Sequence, residues 1–219
     1  MFSKLNEKAQ QLGLDIFGTA YMGENLPEGL CRLPYSITIG VRLLDCIMDE
    51  VVSGATHTYF HHYRTVNTFL DQCALQLAFL LKREGYGALP IAASQTVDSE
   101  AIAGLISHKK AAVLAGLGFI GKNCLFISRD FGARVRLATI LTDLPLPEGD
   151  IMENGCTGCD LCIRACACGA LYGESWEPGK RREDMMDAKK CSLYMKAKYK
   201  DIGRGAVCGV CMAVCPYAR

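Results

Sequence analysis

The chain has 219 residues, half of them hydrophobic, with 24 Lys and Arg against 23 Asp and Glu. That is enough apolar material for one sizeable core and a small appendage, and a net charge of +1 offers little general attraction to a polyanion. No run approaches the roughly 18 apolar residues of a membrane span. Met1 to Gly18 carries no apolar signal-peptide core, so no membrane partner is expected, and the setting expected is a reducing cytoplasm.

Along the chain, Leu5, Ala9 and Leu12 recur at helical spacing, and Gly13 stops that helix before a strand over 15–20. Residues 36–43 read as a buried strand. Tyr63, Val66, Phe69, Leu70, Cys73, Leu77, Leu80 and Leu81 line one face of a long helix ended by Gly85, which makes Cys73 a core residue. A strand over 88–93 and a helix over 107–115 follow. Residues 124–128 and 134–141 predict a hairpin turned at 129–132. The pattern is α/β. Pro145, Pro147, Glu148, Gly149 and Asp150 mark a linker, which divides the chain into domains 1–147 and 148–219.

Beyond the linker, eight cysteines set the pattern: Cys156-x2-Cys159-x2-Cys162-x3-Cys166, then Cys191, then Cys208-x2-Cys211-x3-Cys215-Pro216. Three thiolates at this spacing wrap one face of a cubane cluster, and the fourth crosses to a second cluster. Cys156, Cys159, Cys162 and Cys215 are therefore expected on one [4Fe–4S] cluster. Cys166, Cys208 and Cys211 are expected on another, with Cys191 supplying the missing ligand. Zinc is the competing reading, but its four-thiolate sites are usually two separated CxxC pairs. Structural disulfides would need an oxidising compartment. Cys31, Cys46, Cys73, Cys124 and Cys168 fall outside the set of eight, although Cys168 is near enough in sequence to substitute.

Charge divides unevenly at the same place. Residues 1–155 hold 13 Lys and Arg against 16 Asp and Glu, and residues 156–219 hold 11 against 7. The basic stretch 180–204 reads first as balance for two anionic clusters and as a solvated face, and second as a docking patch for an acidic electron donor or RNA.

Gly116-x-Gly118-x-x-Gly121 matches a dinucleotide fingerprint in letters only. A helix precedes these glycines and a strand follows them, the reverse of the context such a site needs. What survives is a glycine-rich turn whose backbone can approach a bulky ligand, with Lys122 and Asn123 at its exit. The histidines add little: His61 and His62 are adjacent and diverge on a helix, and no histidine stands in a D-x-H-x-x-G context.

Val97-Asp98-Ser99, His108-Lys109, the block 115–123, the stretch 136–147 and the cysteine series with Lys190-Cys191-Ser192-Leu193-Tyr194 together resemble the epoxyqueuosine reductases, cobalamin-dependent iron–sulfur reductases related to reductive dehalogenases. The resemblance implies a nitroreductase-like α/β domain holding base-off cobalamin, followed by a two-cluster bacterial ferredoxin-like domain. It places Gly116, Leu117, Gly118, Phe119, Gly121, Lys122 and Asn123 against the corrin and Tyr63 beside the same pocket. It gives Asp98 the role of proton donor; on its residues alone, Asp98 reads equally as a helix N-cap. Arg134 and Arg136 read as a solvated strand face, or as partners of the phosphate of the cobalamin tail.

The expected activity is that of an iron–sulfur, cobalamin-dependent reductase, with electrons passing from a low-potential donor such as ferredoxin or flavodoxin through two clusters to cobalt. FMN is the lesser alternative to cobalamin. An electron-transfer or cobalamin-handling protein serving a corrinoid partner is the alternative to the enzyme. Departures from the family are also visible. Ala167 replaces the proline that usually follows the fourth cysteine, and Cys168 is an extra thiol. The chain stops at Arg219, without the helical-repeat domain of tRNA-modifying members. A small-molecule or corrinoid substrate is therefore expected, and tRNA is not.

Overall fold

A computed structural model describes residues 1–218. Its architecture is mixed α/β. The helices are α1 (Phe2–Gln11), α2 (Asp45–Glu50), α3 (His57–Arg83), α4 (His108–Leu114), α5 (Leu161–Arg164), α6 (Ala188–Lys198) and α7 (Val210–Ala213). The strands are β1 (Ile16–Tyr21), β2 (Tyr35–Arg42), β3 (Ala88–Ile91), β4 (Gly118–Ile120), β5 (Phe126–Ser128) and β6 (Val135–Thr142). Two compact units emerge from these elements, each assembled from separated stretches of chain.

The first unit comprises Met1–Arg42, Thr65–Gly118 and Arg136–Met152. Its sheet runs in the order β1-β2-β6-β3, with β1 antiparallel to β2 and β3 antiparallel to β6. Alternation decides what each face buries. Ile37, Ile39 and Val41 of β2 and Ala138 and Ile140 of β6 join Leu5 of α1 and Leu70, Cys73, Leu77 and Leu81 of α3 in the main core. Leu141, one residue out of phase, instead meets Met22, Ile91 and Ala111 of α4 in a smaller cluster. The helical spacing in α3 thus buries the expected face, and Cys73 lies in the core with its thiol pushed up by burial.

The second unit joins Leu43–Arg64 and Phe119–Val135 to the cysteine-rich tail. It therefore includes segments that lie before the linker at residue 147, because hydrogen bonds tie them to the tail. The expected hairpin between 124–128 and 134–141 does not form: β5 pairs with β4, and β6 lies in the four-stranded sheet. Gly121 N donates to Leu125 O at 2.9 Å, which closes a tight turn between two three-residue strands. Strands this short leave no alternation to read, so the glycine block read only as a turn. The stretch after β5 closes on itself, since Ser128 bridges Gly132 and its hydroxyl accepts from Asp130 N and Phe131 N.

Among the described residues, no helix is long and apolar enough to cross a membrane.

Candidate iron–sulfur centre

The tail has little regular structure, and short local devices aim its thiols. Cys162 and Cys211 are each the second residue of a one-turn helix, α5 and α7, and these two helices pack together. Gly209 enters α7 at φ +82°; a Cβ there would lie 2.9 Å from Tyr59 and from Val51, so the position needs glycine for both backbone and space. Asp187 caps α6 by accepting from Lys190 N at 2.8 Å, which sets Cys191 in the first turn. Asn154 accepts from Cys156 N at 2.9 Å and donates to Ile120 O and Trp176 O, fixing the start of the first run.

The thiols form two groups. Cys156, Cys159, Cys162 and Cys215 line a cavity of about 140 Å³ together with Lys122, Asn123 and Tyr217. Burial, followed by the proximity of Cys156, Cys215 and Cys159, pushes the Cys162 thiol up to about 11. Cys191 is likewise pushed up to about 11, by burial and then by Cys168, Cys208 and Cys166. Cys211 is raised by burial and then by Cys208, Cys191, Cys162 and Cys166. Crowded, part-buried thiols resist ionising one another, and a bound metal cluster relieves that cost by taking thiolates and releasing protons. Ala170 N donates to Cys166 Sγ at 3.3 Å, an N–H···S bond of the kind that tunes cluster potentials. The donor set fits iron–sulfur clusters. Among the described residues, no three His, Cys, Asp or Glu side chains stand close enough to share a single metal ion.

The glycine turn serves this framework. Lys122 Nζ donates to Thr157 O at 2.8 Å, and Asn123, which is buried, donates to Cys211 O at 3.2 Å and accepts from Leu125 N. Phe119 packs edge-on against Tyr217, with ring centroids 5.5 Å apart, and Tyr217 donates to Gly155 O at 2.7 Å. Gly116, at φ +68°, lies against the backbone of Asp150, 2.7 Å from where its Cβ would be. The close approach that its glycine permits is to the chain itself. Leu117 fills the space over Gly18. Tyr63 is half-buried on α3, its ring 6.3 Å from that of Tyr59.

Asp98 is not a helix N-cap. It stands on an exposed turn, bridged to Ala103, and its carboxylate accepts from Glu100 N and Ala101 N, both at 2.9 Å. Arg134 is not on a solvated face: it is buried, pairs with Asp45 at 3.0 Å and Asp49 at 2.7 Å, and donates to Ala213 O. Arg136 donates to Asn67 Oδ1 at 3.0 Å and to Ala93 O. His108 is half-buried, held between Thr139 Oγ1 at 2.8 Å and Ala92 O at 3.0 Å. Sequence reasoning missed Asn154 and Tyr217. Their only signals are proximity to Cys156 and to Cys215-Pro216.

The fold is similar to those of a reductive dehalogenase and of epoxyqueuosine reductases. A reductive dehalogenase whose structure suggests a mechanism for B12-dependent dehalogenation superposes with a TM-score of 0.75 at 20% identity, over 98% of this chain and 31% of that one. An epoxyqueuosine reductase in complex with an epoxyqueuosine-modified tRNA-Tyr stem loop superposes with a TM-score of 0.64 at 17% identity, over 99% and 64%. In sequence the chain is epoxyqueuosine reductase-like. It is 33% identical to the epoxyqueuosine reductase of Bacillus cereus over 129 residues, 55% of this chain and 32% of the relative. With that of Listeria monocytogenes it shares 31% identity over 167 residues, 72% and 39%. The chain thus spans about a third of the length of these curated relatives. No family profile matches it.

These relatives overturn the expectation that tRNA is no partner: they are epoxyqueuosine reductases, and one solved structure of such an enzyme carries a tRNA stem loop. Net charge over a whole chain says little about a local surface. On α6, Lys189, Lys190, Lys196 and Lys198 are all exposed.

Proposed function

We propose that this chain is the catalytic core of an epoxyqueuosine reductase-like enzyme that reduces epoxyqueuosine in tRNA, using cobalamin and two [4Fe–4S] clusters. The observation that carries the reading is the grouping of thiols: Cys215 lines the same cavity as Cys156, Cys159 and Cys162, while Cys191 neighbours Cys166 and Cys208. That is the crossing a two-cluster ferredoxin-like tail requires. The packing of α5, which carries Cys162, against α7, which carries Cys211, supports electron passage from one cluster to the other.

Cobalamin, bound base-off, would supply low-valent cobalt as the final reductant. The side chains of Phe119, Lys122 and Asn123 are engaged with the cysteine framework, so a corrin resting on residues 116–123 would meet mainly their backbone. Asp98, on an exposed turn and held by two backbone donors, is the candidate proton donor. The relatives favour this enzyme over a free-standing electron carrier.

The test is anaerobic purification and reconstitution, quantitation of iron, cobalt and flavin, and incubation with a low-potential reductant and epoxyqueuosine-containing tRNA. Iron near eight per chain and cobalamin-dependent formation of queuosine are expected. A zinc-loaded protein without iron, or reduction that is independent of cobalamin, would overturn the reading.

A further inference from the structure

The second thiol group contains one donor too many. A cubane has four iron corners, and Cys166, Cys191, Cys208 and Cys211 already supply four thiols for the second cluster, yet a fifth, Cys168, lies beside Cys166. Cys166 Sγ and Cys168 Sγ lie 3.7 Å apart, in van der Waals contact. Two sulfurs that close can approach one iron, but they cannot serve two corners that face apart across a cluster. The turn that brings them together is specific. Gly169, at φ +59°, donates to Cys166 O at 2.8 Å, and Ala170 N reaches back to Cys166 Sγ. Both thiols are half-buried.

We propose that Cys168 is an alternative ligand of the second cluster, competing with Cys166 for the same iron. In the exchange, the Fe–Sγ bond of Cys166 breaks as that of Cys168 forms. The Cys168 thiol proton passes to the released Cys166 thiolate, and no electron is transferred. The Ala170 N–H donates to Cys166 Sγ at 3.3 Å and also reaches Cys168, so the same donor serves either ligating sulfur.

The proposal rests on the two-cluster reading above, and the experiment separates the two. Wild type, C166A, C168A, the double variant C166A/C168A, and C159A, which belongs to the first group, whose cavity is lined by no fifth thiol, are reconstituted anaerobically. Iron per chain and the electron paramagnetic resonance of the reduced clusters are then measured. Wild type, C166A and C168A should each hold about eight irons, with both reduced-cluster signals retained in C166A, whereas the double variant and C159A should hold about four. A drop of C166A to the level of C159A or below overturns the proposal, and wild type without about eight irons overturns the reading beneath it. Brief alkylation of the wild-type holoprotein, mapped by mass spectrometry, needs no variant to fold. Modification shared between Cys166 and Cys168 is expected; modification of Cys168 alone counts against exchange.

Discussion

His108 shows how a single polar residue is made acceptable inside the first unit. Its ring lies between the Thr139 hydroxyl and the Ala92 carbonyl, so one nitrogen accepts and the other donates, and the neutral form satisfies both. Burial lowers its pKa, and the bond to Ala92 only partly offsets that. The folded state therefore keeps the ring neutral while the unfolded chain takes up a proton below about 6.5. The unfolded state binds more protons in that window, so stability is lost as pH falls below about 6.5. In His108→Gln, where an amide can still accept from Thr139 and donate to Ala92, the loss of stability between neutral and mildly acidic pH should be shallower. Urea midpoints of both proteins as a function of pH measure this directly.

Helices α2 and α7 are too short to persist on their own, and Arg134 is what ties them together. Its side chain is only 2% exposed, while those of Asp45 and Asp49 on α2 are 48% and 64% exposed. Removing the arginine leaves carboxylates that water can reach, so the cost should come from lost charge-assisted hydrogen bonds rather than from a stranded buried charge. Arg134→Met should destabilise the protein by about 2 kcal/mol. Because Arg134 also holds Ala213 O between Cys211 and Cys215, the variant should release cluster iron at lower urea than wild type. Anaerobic urea titration, followed by circular dichroism and by visible absorbance, reads both effects.

For the whole molecule, the proposed reduction needs electrons from the clusters and a proton from a positioned acid, and the two requirements can be separated. The carboxylate of Asp98 bonds within its own turn. Asp98→Asn keeps an oxygen that can accept from Glu100 N and Ala101 N but removes the acid. Iron and cobalt content should be unchanged, while turnover of epoxyqueuosine-containing tRNA falls by about a hundredfold or more. Unchanged turnover in this variant would remove Asp98 from the chemistry.

Much of this architecture is legible in the sequence because it depends on spacing along the chain. The apolar face of α3 follows from helical periodicity, the buried strand β2 from Ile37, Ile39 and Val41 at every second position, and the two cysteine runs from their intervals of two and three residues. Tertiary contact decided the rest. β5 pairs with β4 and not with β6, since three-residue strands carry no pattern that names a partner. Arg134 is buried because Asp45 and Asp49, about 85 to 89 positions away, meet it there. Asp98 closes a turn because Ala103 folds back onto it. Cys168 lies against Cys166 because Gly169 adopts a left-handed conformation that only the folded turn displays. Local order is encoded in neighbours along the chain, whereas the partners of a short strand, a lone charge or a spare thiol exist only once distant segments have packed.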